Sequence, residues 1–300
     1  MATLDVLFRS DEQNGGPVPR FEGFRLEGGG PVGTALVAAS RLGARVGFVG
    51  TAGTDFAGDC KLMSLTRHGV DVTHVVRREG SERQVVLVWV DPETGDRSFS
   101  SPFDRRQAGL QPEELERGYI TAAPYLHLDG NHPDAALTAA RWVRDAGGTV
   151  VMDCATTSRC PSERRQELVS HTDVLICGSG FAQALTGETE VEPACRAALE
   201  CGPEIVVQTE GEGGSYTATP DQQFHTPAFK VDVVDTTGAG DVFHGAYIVG
   251  LLRGWDVRRT AIFASAVSAM CCRHMGGRSG VGTFEETLDF CRKRGIEFTA

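Results

Sequence analysis

Asp241 is the residue best placed to do chemistry. It follows Gly238-Ala239-Gly240 and opens an apolar run, Val242, Phe243, Ala246, Tyr247, Ile248, Val249 and Leu251. Those residues cover much of a helix circumference, so a helix starting near Asp241 is expected to be deeply buried. Ahead of it, Val231 to Val234 reads as a short strand and Gly238 to Gly240 as a glycine turn. The first turn of such a helix points backbone N–H groups and the positive end of its dipole outward, which favours an anion. Glycines at 238 and 240 let that anion approach the backbone. A carboxylate among such amides is a poor phosphate ligand, but it can take the proton of a hydroxyl that attacks phosphorus, and the nearby donors favour its ionised form. The implied chemistry is phosphoryl transfer to an alcohol. The amides of Gly238, Ala239 and Gly240 stabilise the moving group and Asp241 is the base. Taken alone, Gly-x-Gly-Asp reads more plainly as a turn with an aspartate helix cap; Asp235-Thr236-Thr237 ahead of it reverses the balance.

The elements that must position these residues alternate along the chain. Gly28-Gly29-Gly30-Pro31 opens a second buried helix, Ala35 to Leu42, stopped by Gly43, and a strand follows at Arg45 to Val49. Helix Phe56 to His68 precedes strand Thr73 to Arg77. Further on, helices at Pro112–Tyr119, Pro133–Ala146, Ser162–Ser170, Phe181–Thr186 and Glu192–Cys201 separate strands at Tyr125–Leu128, Thr149–Asp153, Val174–Cys177 and Ile205–Thr209. This rhythm predicts an α/β fold, a parallel sheet with helices on both faces, whose ligands gather at the carboxyl ends of the strands. Asp129, Gly130, Asn131 and Asp153 follow strands in that way. Leu4 to Phe8, Pro17 to Glu27, and a hairpin with arms Val85–Val90 and Arg97–Ser101 around Pro92–Asp96 read as strands outside the alternation.

The totals exclude several classes. The 300 residues carry a formal net charge of −11, which argues against nucleic acid as a partner. No apolar run approaches the roughly 18–20 residues of a membrane helix, and the N-terminus lacks the pattern of a signal peptide. The nine cysteines are scattered with no Cys-x-x-Cys pair, as expected of reduced thiols in the cytoplasm. The only lysines are Lys61, Lys230 and Lys293, and none follows a Walker A loop, so any use of ATP is not of the P-loop kind.

Asp235-Thr236-Thr237-Gly238-Ala239-Gly240-Asp241 resembles the C-terminal signature of the ribokinase (PfkB) family of carbohydrate kinases, and the resemblance extends over almost the whole chain. It implies one ribokinase-like domain over 1–300: a three-layer sandwich with a mostly parallel central sheet and a small β-sheet lid from strands at about 14–27 and 84–103. It implies ATP with Mg2+, in many members a monovalent cation such as K+, and a homodimer formed through the lid. By the same resemblance Asp5, Gly29, Gly30, Thr34 and Asn131 hold the sugar. Thr209, Gly211 and Gly214, within a Thr-x-Gly-x-x-Gly turn, contact the nucleotide together with Ser268 and Gly277. Asp235 and Thr237 stand near the metal. Arg278, in the Gly276–Gly280 loop, has two readings, a contact to phosphate or, more plainly, a solvated arginine.

Four features depart from the family pattern. Pro31 and Thr34 occupy positions where two Asn bind sugar hydroxyls. Gly178 and Phe181 stand where many relatives carry the Asn-x-x-Glu that helps hold water around magnesium. The strand expected before Asp5 has no counterpart, which suggests a start codon placed too late. The motifs are closest to those of bacterial sulfofructose kinases, yet Asn131 and His132 replace an arginine suited to a sulfonate; Arg105 and Arg106 are the alternatives. A nucleoside kinase of the same fold, with Trp89, Phe99 and Phe103 as a base-stacking lid, and a non-catalytic sugar-binding protein remain open readings.

Overall fold

The structure, a computed structural model, describes residues 1–9, 23–90, 97–101, 109–155 and 159–298. The expected segments 14–22 and Pro92–Asp96, and Phe103, Arg105 and Arg106, lie outside the described residues. Two compact units emerge: Met1–Gly109 with Val231–Val249 and Ala266–Ala300, and Leu110–Lys230 with Gly250–Ser265.

In the first unit, β1 (Thr3–Arg9), β2 (Gly23–Gly29), β5 (Val85–Val90) and β6 (Arg97–Ser100) form one sheet in the order β2-β1-β5-β6. β1 runs antiparallel to β2 and parallel to β5, so the N-terminal strand is an inner strand of the sheet expected as a lid. Alternation sorts its side chains. Leu7, Val86, Val88 and Val90 are buried together on one face, with Met275 packed against them. Register places Val6 beside Leu26 and Leu87, and Phe8 beside Phe24 and Trp89, on the other. The Phe8 ring lies 5.7 Å from both Phe24 and Trp89, and Phe24 remains 63% exposed.

Helix α1 (Pro31–Arg41) starts with Pro31 in its first turn, where a missing N–H costs nothing. The strand expected at Arg45–Val49 forms instead at β3 (Gly50–Gly53), parallel to β4 (Val75–Arg78). Within the expected run Gly47 still makes one parallel bridge to Asp71, with Phe48 N donating to Asp71 O at 2.8 Å and Asp71 N to Val46 O at 3.0 Å, and the Phe48 ring is buried with Val37, Leu65 and Val70. Helix α2 (Phe56–Thr66) is capped by Asp55, which accepts from Gly58 N.

The second unit carries the parallel sheet. β7 (Tyr125–Leu128), β8 (Thr149–Cys154), β9 (Val174–Gly178) and β10 (Ile205–Thr209) run parallel, and β11 (Ser215–Ala218) and β12 (Gln223–Thr226) extend the edge antiparallel. The connections are α3 (Arg117–Thr121), α4 (Pro133–Asp145), α5 (Glu163–Ser170), α6 (Phe181–Thr186) and α7 (Val191–Ala198). Nearly continuous burial of β8 and β9 matches strands covered on both faces. The helix expected at Pro112–Tyr119 is a single 3-10 turn, Pro112–Glu114, followed by α3. Helix α8 (Ala239–Leu252) begins in the first unit, α9 (Val257–Cys271) ends there, and α10 (Phe284–Arg292) completes it.

Val231–Val234 is not a strand. Val234 N and Asp235 N both donate to Cys272 O, so the end of α9 rather than a neighbouring strand takes up its hydrogen bonds.

Candidate active site

The glycine turn is held from three sides. Gly238 has φ +72°, a left-handed conformation that glycine alone adopts cheaply. An added Cβ there would come within 2.7 Å of Gly277 Cα, so two backbones pack face to face. Asp235 is buried, and its carboxylate accepts from Thr237 N and from Gly276 N, both at 2.7 Å. One side chain thus fixes the turn and the loop opposite it. Ser268 on α9 donates to Ala239 O at 2.9 Å. Its hydroxyl proton therefore secures the start of α8.

Helix α8 starts at Ala239, two residues earlier than expected, which puts Gly240 and Asp241 inside its first turn. Ala239 N bonds Thr236 O and Val242 N bonds Gly238 O, whereas Gly240 N has no backbone acceptor among the described residues. A Cβ on Gly240 would meet nothing within 4 Å. Asp241 is half-buried while the residues from Val242 to Gly250 are buried. The helix start therefore opens on free space at Gly240, with Asp241 as the next residue.

A second constellation surrounds the Gly28–Gly30 turn. Asp5, on β1, lies against Gly29 so closely that a Cβ on Gly29 would collide with its carboxylate. Gly30 turns with φ +83° into α1, where Thr34 is buried. Asp5, Gly29, Gly30 and Thr34 therefore lie close together.

Arg278 does not behave as expected. It is 2% exposed, not solvated. Its guanidinium donates to Gly29 O at 2.7 Å, Ser64 Oγ at 3.0 Å and Thr34 Oγ1 at 3.3 Å. Those partners lie 214 to 249 residues away in sequence, so no local pattern announces them. The only hint was position: an arginine among the glycines of Gly276–Gly280. Burial lowers its pKa to about 10, while Asp5, Glu27 and Asp241 pull the other way; it remains charged at neutral pH. Glu27, paired with Asp5 across β1 and β2, is also buried, and burial raises its pKa despite Ser279 and Arg278. Sequence reasoning missed Glu27 and Ser64 as well.

In the second unit, Asp129 accepts from Asn131 N at 3.0 Å across Gly130, which has φ +68°. The Asn131 side chain is exposed at the carboxyl end of β7. Asp153 at the end of β8 is buried, and burial together with the Asp129 charge raises its pKa to about 7. Thr209 closes β10 and donates to Cys177 O. Gly211 and Gly214 frame the turn into β11, both with positive φ. Gly178 offers no side chain and Phe181 is wholly buried, so neither can hold metal-bound water. The carboxylate at this edge is Glu210, which accepts from Ser179 and Gln208.

A parallel α/β sheet, glycine turns at strand ends and a buried helix that opens on an aspartate define a small-molecule phosphotransferase. The family model of the pfkB carbohydrate kinases matches residues 2–283, and the chain belongs to that family. An ATP-dependent ribose-1-phosphate kinase of Halopiger xanaduensis is 30% identical over 255 residues, covering 85% of this chain and 83% of its own. The ribokinase structure from Thermotoga maritima superposes with a TM-score of 0.82 at 25% identity, covering 97% of each chain. An Escherichia coli relative solved with ATP and Mg2+ gives a TM-score of 0.83 at 23% identity, again over 97% of each chain. The fold is thus ribokinase-like. Among the described residues no helix is long and apolar enough to cross a membrane.

Proposed function

We propose that this carbohydrate kinase transfers the γ-phosphoryl group of ATP to a hydroxyl of a sugar or sugar derivative, with Asp241 as the general base. The observation that carries the reading is Asp241 in the first turn of α8, three residues after the positive-φ Gly238, in a turn that Asp235 fixes by accepting from Thr237 N and Gly276 N. Asp241 takes the proton from the attacking hydroxyl as the oxygen meets phosphorus, and the helix start of Gly238, Ala239 and Gly240 receives the charge on the transferring group. Asp5, Gly29, Gly30, Thr34 and Asn131 hold the sugar. Thr209, Gly211, Gly214 and Gly277 contact the nucleotide, with Ser268 supporting the anion hole.

Magnesium, when bound with the nucleotide, neutralises phosphate charge. Near the glycine turn the residues fit it in one respect: Thr237 Oγ1 is buried with no hydrogen-bond partner among the described residues, whereas both Asp235 oxygens already accept from amides. K+ has its place beside the 275–280 loop only through the family resemblance. A sulfosugar finds little support in the first unit. Arg278 is already bound by three acceptors and faces three carboxylates, so it is not set to receive a sulfonate. The nine cysteines form no disulfide among the described residues and most are buried, which fits a reducing cytoplasm. The exposed apolar face of β1, β2 and β5 fits a homodimer.

The test is ADP release with magnesium and ATP against a panel of ketoses, aldoses, nucleosides and sulfofructose, with Asp241→Asn as the blank. Sugar-dependent release absent from the blank supports the kinase and identifies its acceptor. Release driven by nucleosides alone moves the acceptor class. No release, with a sugar still raising Tm, favours a binding protein.

A further inference from the structure

The 275–280 loop joins the two turns to which the mechanism assigns different work. On the β2 side, Arg25 donates to Met275 O at 2.9 Å and to Ser279 Oγ at 2.6 Å, and Ser279 Oγ donates to Glu27 Oε1 at 3.0 Å. Beyond them Arg278 reaches Gly29 O, Thr34 and Ser64. Gly28 and Gly33 make room for it, since a Cβ on either would run into the guanidinium. On the α8 side, Gly276 N is held by Asp235, and Gly277 is pressed against Gly238. The link has little slack. A planar guanidinium with a buried stem and three acceptors in fixed directions transmits displacement better than a flexible ammonium would.

We propose that Arg278 is a positioning residue that couples the Gly28–Gly30 turn to the Gly238–Gly240 turn, so that filling one orders the other. What each turn binds rests on the kinase reading above. The coupling is reciprocal: nucleotide orders the sugar side as much as sugar orders the nucleotide side. The charge on Arg278 matters as well as its shape, because it sits among Asp5, Glu27 and Asp241 and balances carboxylates that belong to both turns.

The experiment is hydrogen exchange by mass spectrometry on the full chain, with and without magnesium and the non-hydrolysable analogue β,γ-imido-ATP. In the wild type the analogue is expected to slow exchange in peptides covering 236–241 and also 28–34. In Arg278→Met the slowing at 236–241 stays and the slowing at 28–34 is lost; Arg278→Lys restores part of it. A merely structural arginine would speed exchange in both turns without changing the response to the analogue. Slowing at 28–34 that persists in Arg278→Met overturns the proposal, as does wild-type slowing confined to 236–241. Should Arg278→Met not fold, the double variant Arg25→Gln/Ser279→Ala keeps the buried cation and cuts the β2 side of the loop. Weaker slowing at 28–34 then supports the coupling, and full slowing there overturns it. No slowing of either turn in the wild type removes the nucleotide-binding reading itself and the coupling with it, a result distinct from selective loss.

Discussion

Asp241→Asn separates shape from charge. The side chain is half-buried in the first turn of α8, and the packing of that helix begins at Val242, so the substitution leaves the core intact. The structural loss is one carboxylate at the positive end of the helix dipole, about 0.3–1 kcal/mol. For a chain of this size that is a Tm change of roughly 1–4 °C. The catalytic loss is larger. A positioned general base contributes about 10²–10⁴ in rate, equivalent to about 2.7–5.4 kcal/mol of transition-state stabilisation at about 1.36 kcal/mol per tenfold. The expected signature is a kcat lowered by that factor with KM for ATP and sugar changed no more than a few-fold. ADP release under saturating substrates, alongside thermal melting, reads both terms. An unchanged kcat would remove Asp241 from the role of base. A rate loss accompanied by a Tm drop well beyond the dipole term would make Asp241 a structural cap.

Gly238→Ala is expected to lower stability by about 2–5 kcal/mol, from left-handed strain of about 1–2 and overpacking of about 1–3 against Gly277; a urea midpoint equal to that of the wild type would mean the two backbones part easily. Lys61 is wholly buried, bonds Thr51 O and Gln84 Oε1, and pairs with Glu82 at 2.6 Å. Lys61→Met should cost about 3–5 kcal/mol by stranding that carboxylate, and adding Glu82→Gln should recover part of the loss in denaturant melts. Burial lowers the pKa of His244 to about 3 from 6.5. Between those values the unfolded chain binds a proton that the native chain does not, so stability falls as pH falls, by up to about 1.4 kcal/mol per unit, with no contribution above 6.5. Asp153, raised to about 7, has the opposite slope over 3.8 to 7. The difference between wild type and His244→Gln isolates the histidine; parallel stability–pH curves would show that it protonates in the native state. Phe24→Glu with Leu26→Glu places charge on the exposed face of β2; the proposed homodimer then predicts a monomer in sedimentation for this variant and a dimer for the wild type, and a mass unchanged between the two would remove this face from the interface.

What the sequence revealed and what it hid divide by range. Strands Tyr125–Leu128 and Ile205–Thr209 and helix Phe181–Thr186 were legible because periodicity, glycine stops and caps act within a few residues. The glycine turn was legible for the same reason, with the helix start displaced by two residues so that Asp241 falls inside the first turn. Arg45–Val49 shows the first kind of failure. The β-like run keeps only the Gly47–Asp71 bridge and the ladder proper starts at Gly50, because the register is set by the partner segment from Asp71 to Arg78 and not by the run itself. Val231–Val234 shows the second: hydrogen bonds that a strand would have shared go to a helix end. Arg278 shows the third, and for function it matters most. Its three acceptors come from β2, α1 and α2, elements that only the finished fold brings together. A charge can be buried at acceptable cost only when its partners are already fixed in place. The same condition that hid Arg278 from the sequence is therefore what gives it leverage: its acceptors all stand on the Gly28–Gly30 side while its own loop is held to the Gly238 turn at Gly276 and Gly277, so its removal should cut the link and leave the Gly238 turn standing.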